Sequence, residues 1–247
     1  MTPQAWQLQT PVSAIVFDCD GTLSTLEGID YLAANNGVGE TVQALTAEAM
    51  GKSGLNPALY QQRLNLVNPN QQQVIELGQA YYQHRVPDSH DVIKLLQRLH
   101  KSVYVISAGL LPAVNIFAEL LQIPHEHIFA VQIKFDEQGQ FLDFDHTSPL
   151  IHNNGKRTLV TQLKIQHPHI IYVGDGLNDL STIGIVTRFI GFGGVFYREK
   201  IAAQSDYYID TLSMAPLLPL VLTQEEYETL SASEQRLVQK GKSILIK

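Results

Sequence analysis

Two aspartates separated by one residue, Asp18 and Asp20, follow a short apolar run and precede Gly21-Thr22. Carboxylates at positions i and i+2 that leave a strand can point into the same crevice. One can then act as a nucleophile and the other as a general acid and base, as aspartyl-phosphate chemistry requires. Because two anions would repel a phosphate, a hard cation such as Mg2+ is needed beside them. The motif alone fits equally a loop with acidic turn residues.

A calcium-binding loop is excluded for the same segment. The EF-hand loop needs a glycine at its sixth position and a glutamate at its twelfth. Here the glycine, Gly21, stands at the fourth position, and Ile29 occupies the twelfth. A buried strand is predicted before the motif, where an EF-hand has a helix.

A second acidic cluster, Gly174-Asp175-Gly176-Leu177-Asn178-Asp179, follows another apolar run. Asp175 is a candidate metal ligand, and Asp179 is a candidate for orienting ligands or the waters of the metal. The alternative is a glycine turn with a capping aspartate. A dinucleotide fingerprint would need a third glycine where Asp179 stands, and its pyrophosphate would meet these carboxylates.

Two further candidates are weak when taken singly. The hydroxyl and the turn amides of Ser107-Ala108-Gly109 can hold phosphate oxygens. Lys156 can neutralise a phosphate and the charge that develops in the transition state. Each also fits an ordinary strand end or a solvated surface lysine. Only the ordered combination of four clusters favours catalysis.

The elements that must position these clusters are predicted from apolar runs typical of strands buried on both faces. The runs are residues 12–17, 103–106, 128–133, 170–173 and 188–192. Helical patterns such as residues 89–100 lie between them. This alternation predicts an α/β fold with a doubly wound, Rossmann-like parallel sheet. Ligands bind beyond the carboxyl ends of such strands, where three of the polar clusters lie.

Residues 28–85 break this alternation and predict successive helices. Asn56-Pro57 is a helix start, and Val74, Leu77 and Tyr81 have helical spacing. We therefore expect a small helical cap, residues 28–85, inserted after the first strand and closing over the crevice. Residues 1–27 and 86–222 form the expected catalytic core.

Two smaller features complete the predicted organisation. Residues 135–144, with Glu137-Gln138-Gly139 in the middle, predict a hairpin. In a C-terminal tail of residues 223–247, Thr223 with Glu226 and Ser231 with Glu234 have capping-box spacing, which predicts one or two short helices.

The composition limits which kinds of partner the protein can bind. The chain has 247 residues, 45% hydrophobic and 17% charged, and a net charge of −7, which argues against a nucleic-acid or anionic-membrane partner. A single cysteine, Cys19, fits a reducing compartment. Residues 1–10 have no signal-peptide pattern, and no apolar run approaches the ~20 residues of a membrane span. A cytoplasmic protein, monomeric or homodimeric, is expected.

The ordered motifs resemble those of the haloacid dehalogenase superfamily of phosphatases over roughly residues 12–212. They are Asp18-x-Asp20-Gly21-Thr22, Ser107, Lys156 and Gly174-Asp175-Gly176-x-x-Asp179. Within it, three segments resemble the phosphoserine phosphatase family: residues 26–30, residues 45–51 continuing to Leu59 and Arg63, and residues 189–194.

The resemblance implies a role for each core residue. Asp18 would attack phosphorus, and Asp20 would protonate the leaving oxygen and then activate water. Mg2+ would be held by the side chains of Asp18 and Asp175 and the backbone carbonyl of Asp20, with Asp179 acting indirectly. The phosphoryl oxygens would be bound by Ser107, Ala108, Gly109, Lys156 and Asn178.

The resemblance also implies that the cap recognises an amino acid. Glu27 would pair with the substrate ammonium, and Arg63 would bind its carboxylate through two hydrogen bonds. Met50 and Gly51 would line the pocket. The chain departs from the family pattern at Leu55, where an aromatic residue is usual, and at Ala108, where glycine is usual.

The function implied is hydrolysis of phosphoserine, a small molecule, to serine and phosphate in serine biosynthesis. Two alternatives stay open: a related phosphatase or phosphotransferase for another small phosphorylated amino acid or amine, and a non-catalytic binding module. Filled carboxylate positions argue against the second.

Overall fold

The protein is described by a computed structural model that covers residues 6–48 and 54–245. Its described residues contain eight strands: β1 (Ala14–Phe17), β2 (Ser102–Leu110), β3 (Ile128–Val131), β4 (Ile133–Phe135), β5 (Phe141–Phe144), β6 (Ile170–Gly174), β7 (Arg188–Phe192) and β8 (Tyr207–Ile209). Six of them form one sheet in the order β3-β2-β1-β6-β7-β8, and every neighbouring pair in it is parallel. The predicted α/β fold with a Rossmann-like parallel sheet is confirmed.

The helices connect and flank these strands. They are α1 (Gly28–Asn35), α2 (Gly39–Glu48), α3 (Pro57–Val67), α4 (Gln71–Gln83), α5 (Ser89–Arg98), α6 (Leu111–Leu120), α7 (Gly155–Leu163), α8 (Leu177–Leu180), α9 (Glu199–Ala202), α10 (Leu217–Val221), α11 (Gln224–Glu228) and α12 (Ala232–Leu245). No helix among them is long and apolar enough to cross a bilayer, within the described part of the chain.

The central strand β1 is buried at every residue, as its unbroken apolar sequence predicts for a strand covered on both faces. Phe17 aligns with Val105 of β2 on one side and with Val173 of β6 on the other. The strand order reverses at β1, which is where open α/β sheets bind ligands. The polar residues at the carboxyl ends of these three strands therefore meet at one edge.

Two strand predictions need correction. The predicted strand 128–133 is two strands, because the chain leaves the main sheet at Gln132, whose carbonyl accepts a hydrogen bond from Asp145 at 2.8 Å. The predicted hairpin begins accordingly at Ile133. Strand β2 continues to Leu110, so the Ser107-Ala108-Gly109 cluster lies within its irregular end, where the register with β3 shifts. The short edge strand β8 was not predicted.

Residues 28–85, which we call the cap segment, contain α1 to α4 and no strand in their described part. Asn56 caps α3 by accepting a hydrogen bond from the amide of Leu59, as its sequence predicts. Helix α4 packs closely on α6, and Gly78 lies where the two backbones approach. The cap segment thus rests on the sheet's flanking helix, which fixes the side chains that α4 directs at the crevice.

We expect Gly78→Ala to destabilise the protein although alanine favours helices. A methyl group at this position would lie 2.7 Å from Cβ of Ile116 and 2.9 Å from the carbonyl oxygen of Ala113. Overpacking of this kind costs about 1–3 kcal/mol, more than the ~1 kcal/mol gained in helix propensity. Urea unfolding of Gly78→Ala and of Gln79→Ala, an exposed position on α4, measures the difference. Equal stability of the two variants would contradict close packing of α4 on α6.

The C-terminal tail packs against α10 and is joined to residues in and beside α5. Both predicted capping boxes are present, at Thr223 and at Ser231. Ion pairs join the tail to earlier elements: Lys101 with Glu226 at 2.5 Å, Arg98 with Glu234 at 2.5 Å, and Lys240 with Asp88 at 2.7 Å.

Candidate active site

A crevice opens where β1, β2 and β6 end, between the sheet and the cap segment. Its lining includes the residues Asp18, Asp20, Glu27, Gly28, Tyr60, Arg63, Tyr81, Ser107, Ala108, Gly109, Lys156 and Asn178. Residues far apart in sequence converge here because the three strands are parallel and in register. The crevice brings together most of the side chains that the sequence singled out.

Asp18 follows β1 directly, and its amide donates a hydrogen bond to the carbonyl of Val173 at 2.9 Å. Its Oδ1 accepts hydrogen bonds from Nζ of Lys156 at 2.8 Å and from the amide of Cys19 at 2.7 Å. No hydrogen bond recorded among the described residues involves its Oδ2. Burial, together with the nearby charge of Asp179, raises the pKa of Asp18 well above its ordinary value. The carboxylate is held at one oxygen and available at the other.

Lys156 is buried at the start of α7 and lies between two carboxylates. Its Nζ is 2.6 Å from Oδ1 of Asp179, which also accepts a hydrogen bond from the Tyr172 hydroxyl at 2.8 Å. Oδ2 of Asp179 accepts from the amide of Gly176 at 2.8 Å. Burial lowers the pKa of Lys156, but the charges of Asp179 and Asp18 outweigh it and raise the pKa overall. Asp179 therefore orients a lysine that stays charged.

Asp175 follows β6 and is bound from two sides. Thr22 donates to its Oδ1 at 3.2 Å, and Arg198 donates to its Oδ2 and to its backbone carbonyl. Gly21 has φ of +67°, and a Cβ there would lie 2.6 Å from Oδ2 of Asp175, so the close approach requires glycine. Burial raises the pKa of Asp175 to about 6, although the Arg198 charge opposes the increase.

Three carboxylates form a cluster that fits a metal ion. Asp18, Asp175 and Asp179 each offer an oxygen atom, and these atoms lie within 4.8 Å of one another. Oxygen-only ligands suit a hard divalent cation. Among the described side chains at this end of the crevice, three aspartates contact Lys156 and Arg198, so an excess of negative charge is left. Burial is the largest cause of the raised pKa values of Asp18 and Asp175, and the neighbouring Asp179 charge adds to it. The residues fit a cation.

The carboxyl group of Asp20 points toward the cap segment. Its Oδ1 accepts two hydrogen bonds of 2.6 Å, from the amide of Gly28 and from the hydroxyl of Tyr81. Its Oδ2 is 3.3 Å from Oγ of Ser107. The side chain is thus separated from the cation cluster and faces the place where a substrate oxygen would lie.

Ser107 and its neighbours form a small polar wall opposite Lys156. Oγ of Ser107 accepts a hydrogen bond from the amide of Gly109 at 2.9 Å. The carbonyl of Ala108 accepts from the hydroxyl of Tyr60 at 3.0 Å, which ties α3 of the cap segment to the end of β2. Asn178 also lines the crevice, and its Oδ1 is buried without a hydrogen-bond partner among the described residues. These polar groups can receive phosphoryl oxygens.

Glu27 and Arg63 bring opposite charges to the cap side of the crevice. Burial and the nearby Asp20 raise the pKa of Glu27 well above its ordinary value, although Arg63 opposes the increase. Arg63 is buried, and its Nη1 donates to Oγ1 of Thr46 at 3.3 Å. Its Nε has no partner among the described residues. A buried guanidinium with a free donor can bind an added carboxylate.

Two predicted pocket residues, Met50 and Gly51, lie outside the described residues. Leu55, one of the departures from the family pattern, is buried in the core. Four contributors to the site were missed in the sequence: Tyr60, Tyr81, Tyr172 and Arg198. Thr22 belongs to the first motif, but its hydrogen bond to Asp175 was not predicted. Tyr81 was visible only as part of a helical pattern, because the pattern does not show that its hydroxyl reaches Asp20.

Comparisons with known proteins agree with this geometry. The family model described as haloacid dehalogenase-like hydrolase matches residues 12–184. The chain is 34% identical over 198 residues to a phosphoserine phosphatase of Bos taurus, covering 79% of this chain and 88% of that protein. It is 35% identical over 202 residues to a chloroplastic phosphoserine phosphatase of Arabidopsis thaliana, covering 80% and 68%. A solved structure described as a phospho-aspartyl intermediate analogue of phosphoserine phosphatase superposes with a TM-score of 0.76 at 24% identity, covering 86% and 100%.

Proposed function

The chain belongs to the haloacid dehalogenase-like hydrolases and, within them, to the phosphoserine phosphatase family, and we propose that it hydrolyses O-phosphoserine to serine and phosphate. It is a phosphatase, and its product places it in serine biosynthesis. The observation that carries the proposal is the set of contacts around Asp18. A carboxylate at the switch point of the sheet has one oxygen held by Lys156 and Cys19, and it lies beside a cation-binding cluster.

In the first step, Asp18 forms a bond to phosphorus as the bond from phosphorus to the serine oxygen breaks. Asp20 gives its proton to that oxygen, so serine leaves with a neutral hydroxyl group. Lys156 is fixed by Asp179 and balances charge on the phosphoryl oxygens. Ser107 and Asn178 supply further polar contacts.

In the second step, water attacks phosphorus and the bond to Asp18 breaks. Asp20, now a carboxylate, takes the proton of the water, so the starting protonation state returns. The same carboxyl group thus serves both steps, which requires it to face the reacting oxygen throughout. Its position between Ser107 and the cap segment meets that requirement.

We propose Mg2+ as the cation, held by the side chains of Asp18 and Asp175 and by the backbone carbonyl of Asp20. When bound, it would offset the charge of phosphate and carboxylates and polarise the phosphoryl group. Asp179 acts through Lys156 because both of its oxygens already accept hydrogen bonds from the protein.

The cap segment provides recognition of the amino-acid part. Glu27 would pair with the ammonium group, and Arg63 with the carboxylate through its free donor. Met50 and Gly51 would line the pocket over the short side chain of the substrate. We propose residues 28–85 as a cap that closes over the core of residues 1–27 and 86–222, in a cytoplasmic protein.

The proposed substrate is tested with a panel of phosphoserine, phosphothreonine and phosphoethanolamine, assayed with and without Mg2+. The expected result is metal-dependent phosphate release with the highest kcat/KM for phosphoserine. Equal rates across the panel would support a broader phosphatase of small phosphorylated amines. Release that does not depend on metal would contradict the proposed use of the aspartate cluster.

Arg63→Lys should weaken phosphoserine binding selectively. Lysine keeps the charge but loses the planar fork that binds a carboxylate through two hydrogen bonds. We expect KM for phosphoserine to rise about tenfold, since a charged hydrogen bond contributes roughly 1.5–3 kcal/mol. Phosphoethanolamine lacks the carboxylate, and its KM should stay unchanged. Arg85→Lys, at an exposed arginine of the cap segment, is the matched control. A proportional rise for both substrates would show that Arg63 only supports the fold.

A further inference from the structure

Tyr81 is a buried tyrosine of α4 that lines the crevice. Its oxygen is 2.6 Å from Oδ1 of Asp20, and its ring packs on Phe117 of α6 with centroids 5.7 Å apart. A carboxyl oxygen without a proton can only accept, so the Tyr81 hydroxyl is the donor in this hydrogen bond.

The two oxygens of Asp20 have different surroundings. Oδ1 accepts from both the Gly28 amide and the Tyr81 hydroxyl, each at 2.6 Å. A carboxylate oxygen has two lone pairs, so these donors occupy both. Oδ2 has one longer contact, of 3.3 Å to Ser107, on the side of the crevice that receives the phosphate. Only Oδ2 has room for a proton while both donors stay in place.

We infer that Tyr81 is a positioning residue that keeps the catalytic proton of Asp20 on Oδ2, the oxygen that faces the leaving group. This inference rests on the proposed function of Asp20 as general acid. Moving the proton to Oδ1 would require the Tyr81 hydroxyl to turn away from the carboxyl group. Its hydrogen would then have to find another acceptor, and Asp20 is the one partner recorded for this hydroxyl among the described residues.

Gly28 makes the arrangement possible. A Cβ atom at this position would lie 1.9 Å from the Tyr81 hydroxyl oxygen and 3.1 Å from Oδ1 of Asp20. Glycine therefore lets the amide of the first residue of α1 and the tyrosine reach the same oxygen. The cap segment thus contributes to the chemistry, in addition to covering the crevice.

The consequence differs between substrates according to the leaving group. A serine oxygen must receive a proton as its bond to phosphorus breaks, since an alkoxide is a poor leaving group. Acetate and 4-nitrophenolate leave as stable anions and need no proton when acetyl phosphate or 4-nitrophenyl phosphate reacts with Asp18. Loss of the Tyr81 hydroxyl should therefore slow the reaction of phosphoserine and leave the reactions of acetyl phosphate and 4-nitrophenyl phosphate nearly unchanged.

The test compares kcat/KM of the wild type and Tyr81→Phe on phosphoserine and on the two activated phosphates, with Mg2+ present. We expect a loss of about tenfold or more on phosphoserine, a part of the 10²–10⁴-fold contribution of general acid catalysis. On the activated phosphates the change should stay below about threefold. The ratio kcat/KM reports the first step, so slower hydrolysis of the phosphoenzyme does not enter.

Tyr82→Phe is the matched control, because it removes a hydroxyl from the adjacent residue. The guanidinium carbon of Arg85 lies 4.4 Å from the centre of the Tyr82 ring. Tyr82→Phe should leave every substrate unchanged. Equal losses on all substrates for Tyr81→Phe, or no loss on any, would overturn the inference. If the wild type cleaves activated phosphates but not phosphoserine, the proposed substrate is wrong. The comparison then uses phosphoethanolamine, whose leaving oxygen also needs a proton, and the role of Tyr81 is still decided.

Discussion

Asp18→Asn should abolish phosphoserine hydrolysis while leaving the fold intact. An amide cannot form the bond to phosphorus, and removal of a catalytic nucleophile commonly costs at least about 10⁴-fold in kcat. We expect acid quenching to trap a phosphoenzyme in the wild type and none in the variant. Asp91→Asn, the same change at an exposed position of α5, should keep full activity and serves as the control. Residual activity within a hundredfold of wild type would exclude Asp18 as the nucleophile.

The same variant should be more stable than wild type when metal is removed, by an amount that grows with pH. The pKa of Asp18 is raised in the folded state, so ionisation of this group opposes folding. Between the ordinary aspartate pKa and the raised value, the folded wild type binds more protons than the unfolded chain, and its stability falls as pH increases. Asparagine does not titrate, so this fall in the free energy of unfolding is absent from the variant. Urea unfolding in EDTA at pH 5 and pH 7.5 measures the free energy of unfolding of both proteins. A difference between them that becomes smaller at the higher pH would contradict this prediction.

Lys156→Met should remove activity and also weaken the fold. Methionine fills a similar volume, but the carboxylates of Asp18 and Asp179 would lose the cation that both contact. Breaking a buried ion pair by deleting one partner costs about 3–5 kcal/mol. The variant also lacks the Lys156 charge that stabilises the transition state, so kcat should fall by roughly 10²–10³-fold.

The stability loss in Lys156→Met should respond to pH and to metal in a defined way. Lowering the pH protonates the uncompensated carboxyl groups, so the deficit relative to wild type should shrink. Adding Mg2+ should also narrow the deficit, because a cation bound only in the folded state stabilises most the variant whose carboxylates have lost the Lys156 charge. Lys101→Met removes another buried lysine, which contacts Glu226 and the carbonyl of Val12. It should lower stability but keep kcat, and its deficit should not respond to Mg2+. Lys101→Met keeps the aspartate cluster, so Mg2+ should stabilise this variant and wild type equally. A deficit relative to wild type that Mg2+ narrows in both variants would contradict a site at the aspartate cluster.

Much of the architecture could be predicted because its signals are local. The apolar runs of β1 and β6 identify strands buried on both faces, and the acidic residues after them identify the edge that binds ligands. Capping residues such as Asn56 and Thr223 act on amides within three residues, so the helix starts they predict are correct. The strand boundary at Gln132 was wrong because it depends on a hydrogen bond from Asp145, which the run of apolar residues does not contain.

The sequence by itself determined which carboxylates follow which strands, and hence the class of chemistry that Asp18 and Asp175 can perform. Only the tertiary structure decided how each oxygen atom is occupied. Tyr81 lies 61 residues from Asp20, and Arg198 lies 23 residues from Asp175. Their contacts depend on how α4 packs on α6 and on where the chain runs after β7. Spacing along the chain reports the periodicity of a helix or strand, whereas a hydrogen bond between distant residues requires the packed arrangement of several elements.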